Sequence, residues 1–383
     1  MNKQAIIENK IVTHKALTFD DVLLLPGYSD FKRQDVDLTV RLHPKVILKL
    51  PVISSPMDTV TESAMAIALS QKGGLGIIHR NMSVEKEAEQ IKTVKRASAT
   101  YDESALDEHG RLLVGAAVGT GPDFADRIKA VSVAGCDLIV LDSAHGHTKH
   151  IIDAVSGIRQ KIPGMAIMAG NIATYDGAKA LMKAGAQILR IGMGPGSICT
   201  TRIVTGMGVP QLSAVAAVVR ATDGNGVTTV ADGGIKQMGD IAKAIAFGAH
   251  AVMIGSLFAR FREAPGQTVE IDGKFFKSYR GMGSITAMQK GGAERYGQTR
   301  DTDAKQLVAE GVEGLVEFKG SVIDYLDQVR GSLRSSFYYI GAKNITEMFE
   351  KSRVIKISNA GLSESHPHDV VIADAGGNYN IKK

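Results

Sequence analysis

Short runs of β-branched and aliphatic residues recur through the middle of the chain, at 51–55, 75–79, 114–118, 138–142, 166–169, 188–191, 228–231 and 251–254. The intervals between them, about 61–72, 83–96, 122–134, 147–161, 174–184, 212–223 and 237–247, read as helices. Several of these end alike, at Lys72-Gly73-Gly74, Ala134-Gly135, Ala184-Gly185 and Phe247-Gly248. Glycine there suits the left-handed residue that closes a helix before the next strand. Strands separated by helices pair in parallel, and strands apolar throughout are buried on both faces. Eight of them predict an α/β fold, a closed (β/α)8 barrel of the TIM type, rather than an open sheet.

The flanks are less regular. Residues 1–50 read as an irregular lead-in, with a turn at Pro26-Gly27 and an alternation over 36–42 like that of an edge strand. After the eighth run the chain departs over about 257–330. It starts with a hairpin, 267–271 and 274–277, around Asp272-Gly273, and continues glycine-rich and polar to Gly320. So long an excursion predicts a lid or binding loop. Helix resumes from about Val322, and the tail from Ser358 is expected to pack on the body or on a neighbour. The whole is read as one catalytic barrel domain over 1–383.

Polar and small residues follow strand after strand: Ser54-Ser55-Pro56-Met57-Asp58, His79-Arg80-Asn81, Asp142-Ser143-Ala144-His145, Gly170-Asn171, Asp232-Gly233-Gly234 and Gly255-Ser256. Such residues also cap helices, but in a barrel these ends share one rim, the rim that carries chemistry. After the sixth run comes Gly192-Met193-Gly194-Pro195-Gly196-Ser197-Ile198-Cys199-Thr200-Thr201-Arg202. Its glycines let backbone N–H groups approach an anion, Ser197 adds a donor, and Arg202 adds a fixed charge. Cys199 is a candidate nucleophile. The alternative is a flexible loop around an inert buried cysteine. Cys136, at a helix–strand junction, reads as core packing. His145 and His147, two apart and leaving a loop, do not share a helical face, which argues against a metal site. Asp142 reads better as an acceptor for hydroxyls, for example of a ribose. No G-x-G-x-x-G follows the first strand, so a dinucleotide, if used, is not held by a Rossmann domain.

Composition mainly excludes. The 383 residues are 44% hydrophobic and 22% charged, as in an ordinary globular chain. A net charge of +5, no polybasic tract and 5% aromatic residues make no case for nucleic acid. No apolar stretch is long enough to span a membrane, and residues 1–15 lack a secretory signal's core and cleavage site. Two cysteines form no disulfide framework and suit the cytoplasm.

With these motifs in hand, the chain resembles the inosine-5′-monophosphate (IMP) dehydrogenases almost from end to end. The resemblance is carried by Leu17-Thr18-Phe19-Asp20-Asp21-Val22, Ser54 to Glu62 (SSPMDTVTE), Gly192 to Arg202 (GMGPGSICTTR), Ala231 to Ile235 (ADGGI), Tyr279 to Ser284 (YRGMGS) and Glu294-Arg295-Tyr296. It implies NAD-dependent oxidation of IMP to xanthosine monophosphate, the committed step of guanine nucleotide synthesis. Cys199 would form a covalent thioimidate at C2 of the base. A mobile flap bearing Arg295, as base, and Tyr296 would then hydrolyse it, and Thr201 with Glu310 would form a second proton route. The resemblance further implies that Ser55, Ser197, Gly233, Gly234, Gly255, Ser256 and Tyr279 hold the substrate around its 5′-phosphate and that Asp232 holds its ribose. Met57, Met282, Gly283 and Glu310 would meet its base. Asp142, Ser143, Ala144, Asn171, Gly192, Met193 and Gly194 would meet NAD. Potassium would bind carbonyls of Gly194, Gly196 and Cys199, with Glu364, Ser365 and His366 supplied by a neighbouring chain of a homotetramer.

One departure stands out. The family usually carries paired cystathionine-β-synthase-type regulatory modules, and this chain has only a short connector at about 97–110. Two other readings compete. The guanosine monophosphate reductases share the barrel, the cysteine loop and the Thr/Glu pair, but have no hydrolytic step that calls for the Arg295-Tyr296 flap. A non-catalytic nucleotide-binding barrel would need neither nucleophile nor base.

Overall fold

Alternation along short strands sorts side chains between a barrel interior and an outer layer of helices. The computed structural model describes residues 10, 12, 15–298, 303, 305–373, 376 and 379. Three small strands lead, β1 (Val22–Leu24), β2 (Val40–His43) and β3 (Val46–Leu48). The barrel follows as β4 (Val52–Ser54), β5 (Leu75–Ile78), β6 (Val114–Val118), β7 (Leu138–Asp142), β8 (Ala166–Ile172), β9 (Ile188–Ile191), β10 (Thr228–Asp232) and β11 (Ala251–Ile254). These pair in parallel in chain order, and β11 closes on β4. The connections carry α1 (Ser63–Gln71), α2 (Val84–Arg96), α3 (Phe124–Val133), α4 (Lys149–Lys161), α5 (Tyr175–Ala184), α6 (Thr201–Thr205), α7 (Gln211–Thr222) and α8 (Met238–Ala246). The predicted strands and helices are all present. The fifth strand is longer than its apolar run because Gly170 continues the ladder beside Arg190.

Within the strands, Leu138, Val140, Met168, Ile188 and Val230 fill the interior. Ile139, Leu141, Ile167, Leu189 and Ala231 face the helices. The expected alternation holds over 36–42, and its second half is β2, an edge strand that forms half of a plug. β2 pairs only with β3, and Val40, Leu42, Val46 and Leu48 join the interior cluster. The Thr228 hydroxyl ties the plug to the barrel by donating to the Leu42 carbonyl at 2.9 Å.

The connector from α2 to β6 is tightly built. Asp107 accepts from the N–H groups of His109 and Arg111, each at 2.9 Å, and closes a turn. The buried Lys95 ammonium reaches Asp107 at 3.0 Å and Asp137 at 2.6 Å.

After the barrel, β12 (Thr268–Ile271), β13 (Lys274–Arg280) and β14 (Glu313–Glu317) form an antiparallel sheet. The hairpin is as predicted. β14 was not legible, being short and mostly exposed. The residues between β13 and β14 form helical turns, Ile285–Ala287, Met288–Gly292 and Ala293–Tyr296. α9 (Val322–Ile340) then packs on the barrel through Leu326, Val329, Leu333 and Phe337. α10 (Ile345–Lys351), β15 (Val354–Lys356), which pairs with β1, and α11 (Asn359–Glu364) complete the described fold. Among the described residues no helix is long and apolar enough to cross a membrane.

Candidate active site

The strand alternation that fills the barrel with Val140, Ile188 and Val230 carries Asp142, Arg190 and Asp232 inward at its C-terminal rim. Arg190 is 2% exposed. Its Nη1 donates to Asp142 at 2.8 Å and its Nε to Asp232 at 2.9 Å. Asn171 also donates to Asp232, at 2.8 Å. Burial alone would raise the Asp142 carboxyl, but Arg295, Arg190 and Arg80 outweigh it and bring the group down to about 2.

β9 ends directly in the cysteine loop. Gly192 has φ +150°, and a Cβ there would lie 2.2 Å from the Asp232 carbonyl oxygen. Gly192→Ala is therefore expected to cost at least about 2 kcal/mol, read as a lower Tm with loss of activity. Arg202 does not point into the cleft. Its Nε donates to Met193 at 3.1 Å and its Nη2 to Val209 at 2.6 Å, clipping the loop from behind. The charge that the sequence offered for an anion is thus used to hold the loop, because Gly194 and Gly208 leave room for the guanidinium stem.

Cys199 sits at the head of a relay. Its thiol donates to Thr201 Oγ1 at 3.2 Å, and that hydroxyl donates to Glu310 Oε2 at 2.8 Å. Glu310 comes from a segment 109 residues further on. It is held there by main-chain bonds, from Thr200 N–H to the Glu310 carbonyl and from Val312 N–H to the Ile198 carbonyl, both 3.0 Å.

The cleft over this relay is lined by Cys199, Thr201 and Glu310, with Arg295 and Tyr296. Ser55, Met57, Ser197, Asp232, Gly233, Gly234, Gly255, Ser256, Tyr279 and Met282 line it too, as do Ala144, Asn171, Gly192, Met193, Gly194 and Gly196. Gly233 and Gly234 both take left-handed φ, +88° and +83°. A Cβ on Gly255 would lie 3.0 Å from the Tyr279 hydroxyl and 3.2 Å from Met57 Sδ, so glycine there leaves space under the phenol. Burial pushes the Tyr279 phenol above its ordinary range, opposed by a hydrogen bond with Ser197.

The helical turns before β14 dock on this cleft. Ala144 N–H donates to the Arg295 carbonyl at 3.1 Å, and the Arg295 guanidinium pairs with Asp142. Glu294 lies 3.6 Å from Arg80. The Tyr296 ring rests on Gly283, where a Cβ would come within 2.7 Å, and burial pushes its phenol up to about 12. Asn171 Oδ1 is buried beside them without a hydrogen-bond partner among the described residues.

Some predicted residues are not in the cleft. Asp142 lies behind it, engaged by arginines. The Ser143 hydroxyl donates to the Gly170 carbonyl at 2.6 Å. Gly283 supports Tyr296. Glu364, Ser365 and His366 lie at the exposed end of α11, with His366 Nδ1 2.9 Å from the Tyr379 hydroxyl. Cys136 is buried, its thiol pushed up by burial, as core packing predicts. The rings of His145 and His147 lie edge to face, centroids 6.4 Å apart, and among the described residues no three His, Cys, Asp or Glu side chains converge as metal ligands.

A family model described as "IMP dehydrogenase / GMP reductase domain" matches residues 16–368. The chain belongs to that family. Inosine-5′-monophosphate dehydrogenase of Borreliella burgdorferi is 43% identical over 399 positions, covering 94% of this chain and 98% of the relative. Relatives of the same name from Bacillus subtilis and Halalkalibacterium halodurans are 38% and 37% identical over 482 and 487 positions. They cover 96% and 98% of this chain, and 98% and 100% of themselves. An alignment of 482 positions against 383 residues leaves at least 99 positions of the Bacillus relative without a counterpart. At 399 positions the Borreliella relative has no such excess.

Proposed function

We propose that this member of the family is an NAD-dependent IMP dehydrogenase, oxidising IMP to xanthosine monophosphate through a covalent bond to Cys199. The observation that carries this reading is the relay Cys199–Thr201–Glu310 facing a cleft into which Arg295 and Tyr296 are also brought. Cys199 Sγ adds to C2 of the hypoxanthine ring, its proton leaving along Thr201 toward Glu310. Bound NAD⁺ supplies the two-electron acceptor for the hydrogen lost from C2. Water then adds to the thioimidate carbon, the C–S bond breaks, and Cys199 is restored. Arg295 and Tyr296 would activate that water. Burial disfavours the Arg295 charge, but Asp142 and Tyr296 hold the guanidinium more firmly protonated than usual. Its service as base therefore requires the ion pair with Asp142 to open, and Glu310 through Thr201 is the second acceptor once the thiol proton it took in the first step has passed to solvent.

The 5′-phosphate would be held by Ser197, Gly234, Gly255, Ser256 and Tyr279, a set of N–H and hydroxyl donors suited to a dianion. Asp232 would accept the ribose hydroxyls. The residues fit NAD once the flap is displaced, because Asn171 Oδ1, without a hydrogen-bond partner among the described residues, and the Ala144 N–H would then be open to it, Asn171 at the nicotinamide end and Ala144 on the adenine side. Asp142 would then exchange Arg295 for a ribose. Carbonyls of Gly194, Gly196 and Cys199 are neutral oxygen donors suited to potassium. Glu364, Ser365 and His366 of a neighbouring copy would complete the shell in a homotetramer. A reducing compartment, the cytoplasm, suits the two free thiols. The connector at 97–110 is short where the resemblance implies paired regulatory modules.

The test is NADH formation by purified protein given IMP and NAD⁺, in potassium and then in sodium. NADH formation, at least about tenfold faster in potassium, is expected. NADPH oxidation with guanosine monophosphate, and no NADH from IMP, would assign the reductase reaction instead. Silence in both would favour the non-catalytic barrel.

A further inference from the structure

Arg190 has no part in the chemistry above, yet it is a fully buried charge at the floor of the cleft. It reaches across two strands. Asp142 on β7 pairs in register with Gly170 on β8, and Gly170 with Arg190 on β9. Neighbouring strands lie about 4.8 Å apart, so only a long side chain spans from β9 to β7, and only if the strand between leaves room. Gly170 leaves it. A Cβ there would lie 2.3 Å from the Arg190 carbonyl oxygen and 2.8 Å from the Arg190 Cβ. Different nitrogens of one rigid guanidinium then hold different carboxylates, Nη1 on Asp142 and Nε on Asp232.

We infer that Arg190 is a positioning residue that ties the carboxylate facing the flap and cofactor, Asp142, to the carboxylate facing the substrate ribose, Asp232. This rests on the proposed assignment of those two carboxylates. Arg295 docks on Asp142. Through Arg190, what occupies Asp142 bears on how Asp232 is held. A lysine cannot replace this bridge, because its compact ammonium lacks the fixed fork whose separated Nη1 and Nε meet carboxylates on β7 and β10 at once.

The test is equilibrium binding of IMP alone, by calorimetry, with KM for NAD⁺ measured alongside. In Arg190→Lys, the dissociation constant for IMP and the KM for NAD⁺ should both rise about tenfold. A merely structural role would lower Tm and the active fraction, and hence kcat, while leaving both constants in place. Asp142→Asn is the second variant. It should weaken IMP binding about threefold although Asp142 is not assigned to IMP, because the Arg190 charge then falls on Asp232 alone. If Arg190→Lys does not fold, Asp142→Asn decides. IMP affinity within twofold of the parent in Asp142→Asn, or a change in only one constant in Arg190→Lys, overturns the inference. Failure of the parent protein to bind IMP at all would instead overturn the proposed function.

Discussion

Cys199→Ala should remove turnover, by roughly 10⁵-fold or more, while IMP still binds within about threefold of the parent affinity. The two halves of this expectation come from different parts of the site. The nucleophile is one sulfur atom, 3.2 Å from Thr201, and no other thiol is available to take its place, since Cys136 is buried against Leu138. Binding is assigned to the donors around Ser197, Gly234 and Gly255 and to Asp232, none of which needs the thiol. The substitution is also mild for the fold, because Cys199 is only partly buried and the loop is held by Arg202 and by the main-chain bonds to Glu310 and Val312. Stopped-flow absorbance for NADH, with calorimetry for IMP, reads both halves. Turnover surviving in Cys199→Ala would rule out the covalent mechanism.

Arg295→Ala has the second largest expected effect, and it falls on a different step. Hydrolysis should slow by about a thousandfold, while the first burst of NADH stays within about threefold of the parent. The reason is where Arg295 sits. Its main chain bonds Ala144 and its guanidinium binds Asp142, both on the side assigned to the cofactor. On that assignment flap and nicotinamide would compete for one place, and Arg295 would act only after the cofactor had left. The enzyme should stall as a covalent adduct. What remains of hydrolysis should depend on Thr201 and Glu310, so adding Glu310→Gln should reduce it further. If Arg295→Ala blocks the burst and leaves hydrolysis untouched, the flap has been given the wrong step.

Much of this architecture is legible in the chain because it rests on local pattern. The barrel strands are apolar runs, and their helices are closed by glycines such as Gly185, which takes φ +104°. The gathering of rim residues in one cleft is also legible, since Asp232 and Asn171 follow those runs within two residues and Cys199 lies in the loop after the sixth. What escapes is whatever depends on partners distant in sequence. The segment 36–42 alternates like any edge strand, and only the barrel opening below Thr228 makes it a plug. Arg202 reads as a free charge until Met193 and Val209 are seen to take its donors. Arg190 is the lone charge in Ile188-Leu189-Arg190-Ile191, and a charge in an interior strand requires a buried partner. Its meaning needs register across β7, β8 and β9, which no periodicity conveys. The excursion at 257–330 reads as a lid or binding loop with a hairpin; the structure adds β14, which joins that hairpin in a sheet, and the start of α9. The turns from Ile285 to Tyr296 are the part that docks on the cleft.

The most direct test of the central claim is acid-quenched mass spectrometry of the protein milliseconds after mixing with IMP and NAD⁺, with the modified peptide sequenced. The account predicts a nucleotide adduct on Cys199 that decays in step with product release and persists in Arg295→Ala. NADH formed with no adduct on Cys199 at any time, in either protein, would contradict it.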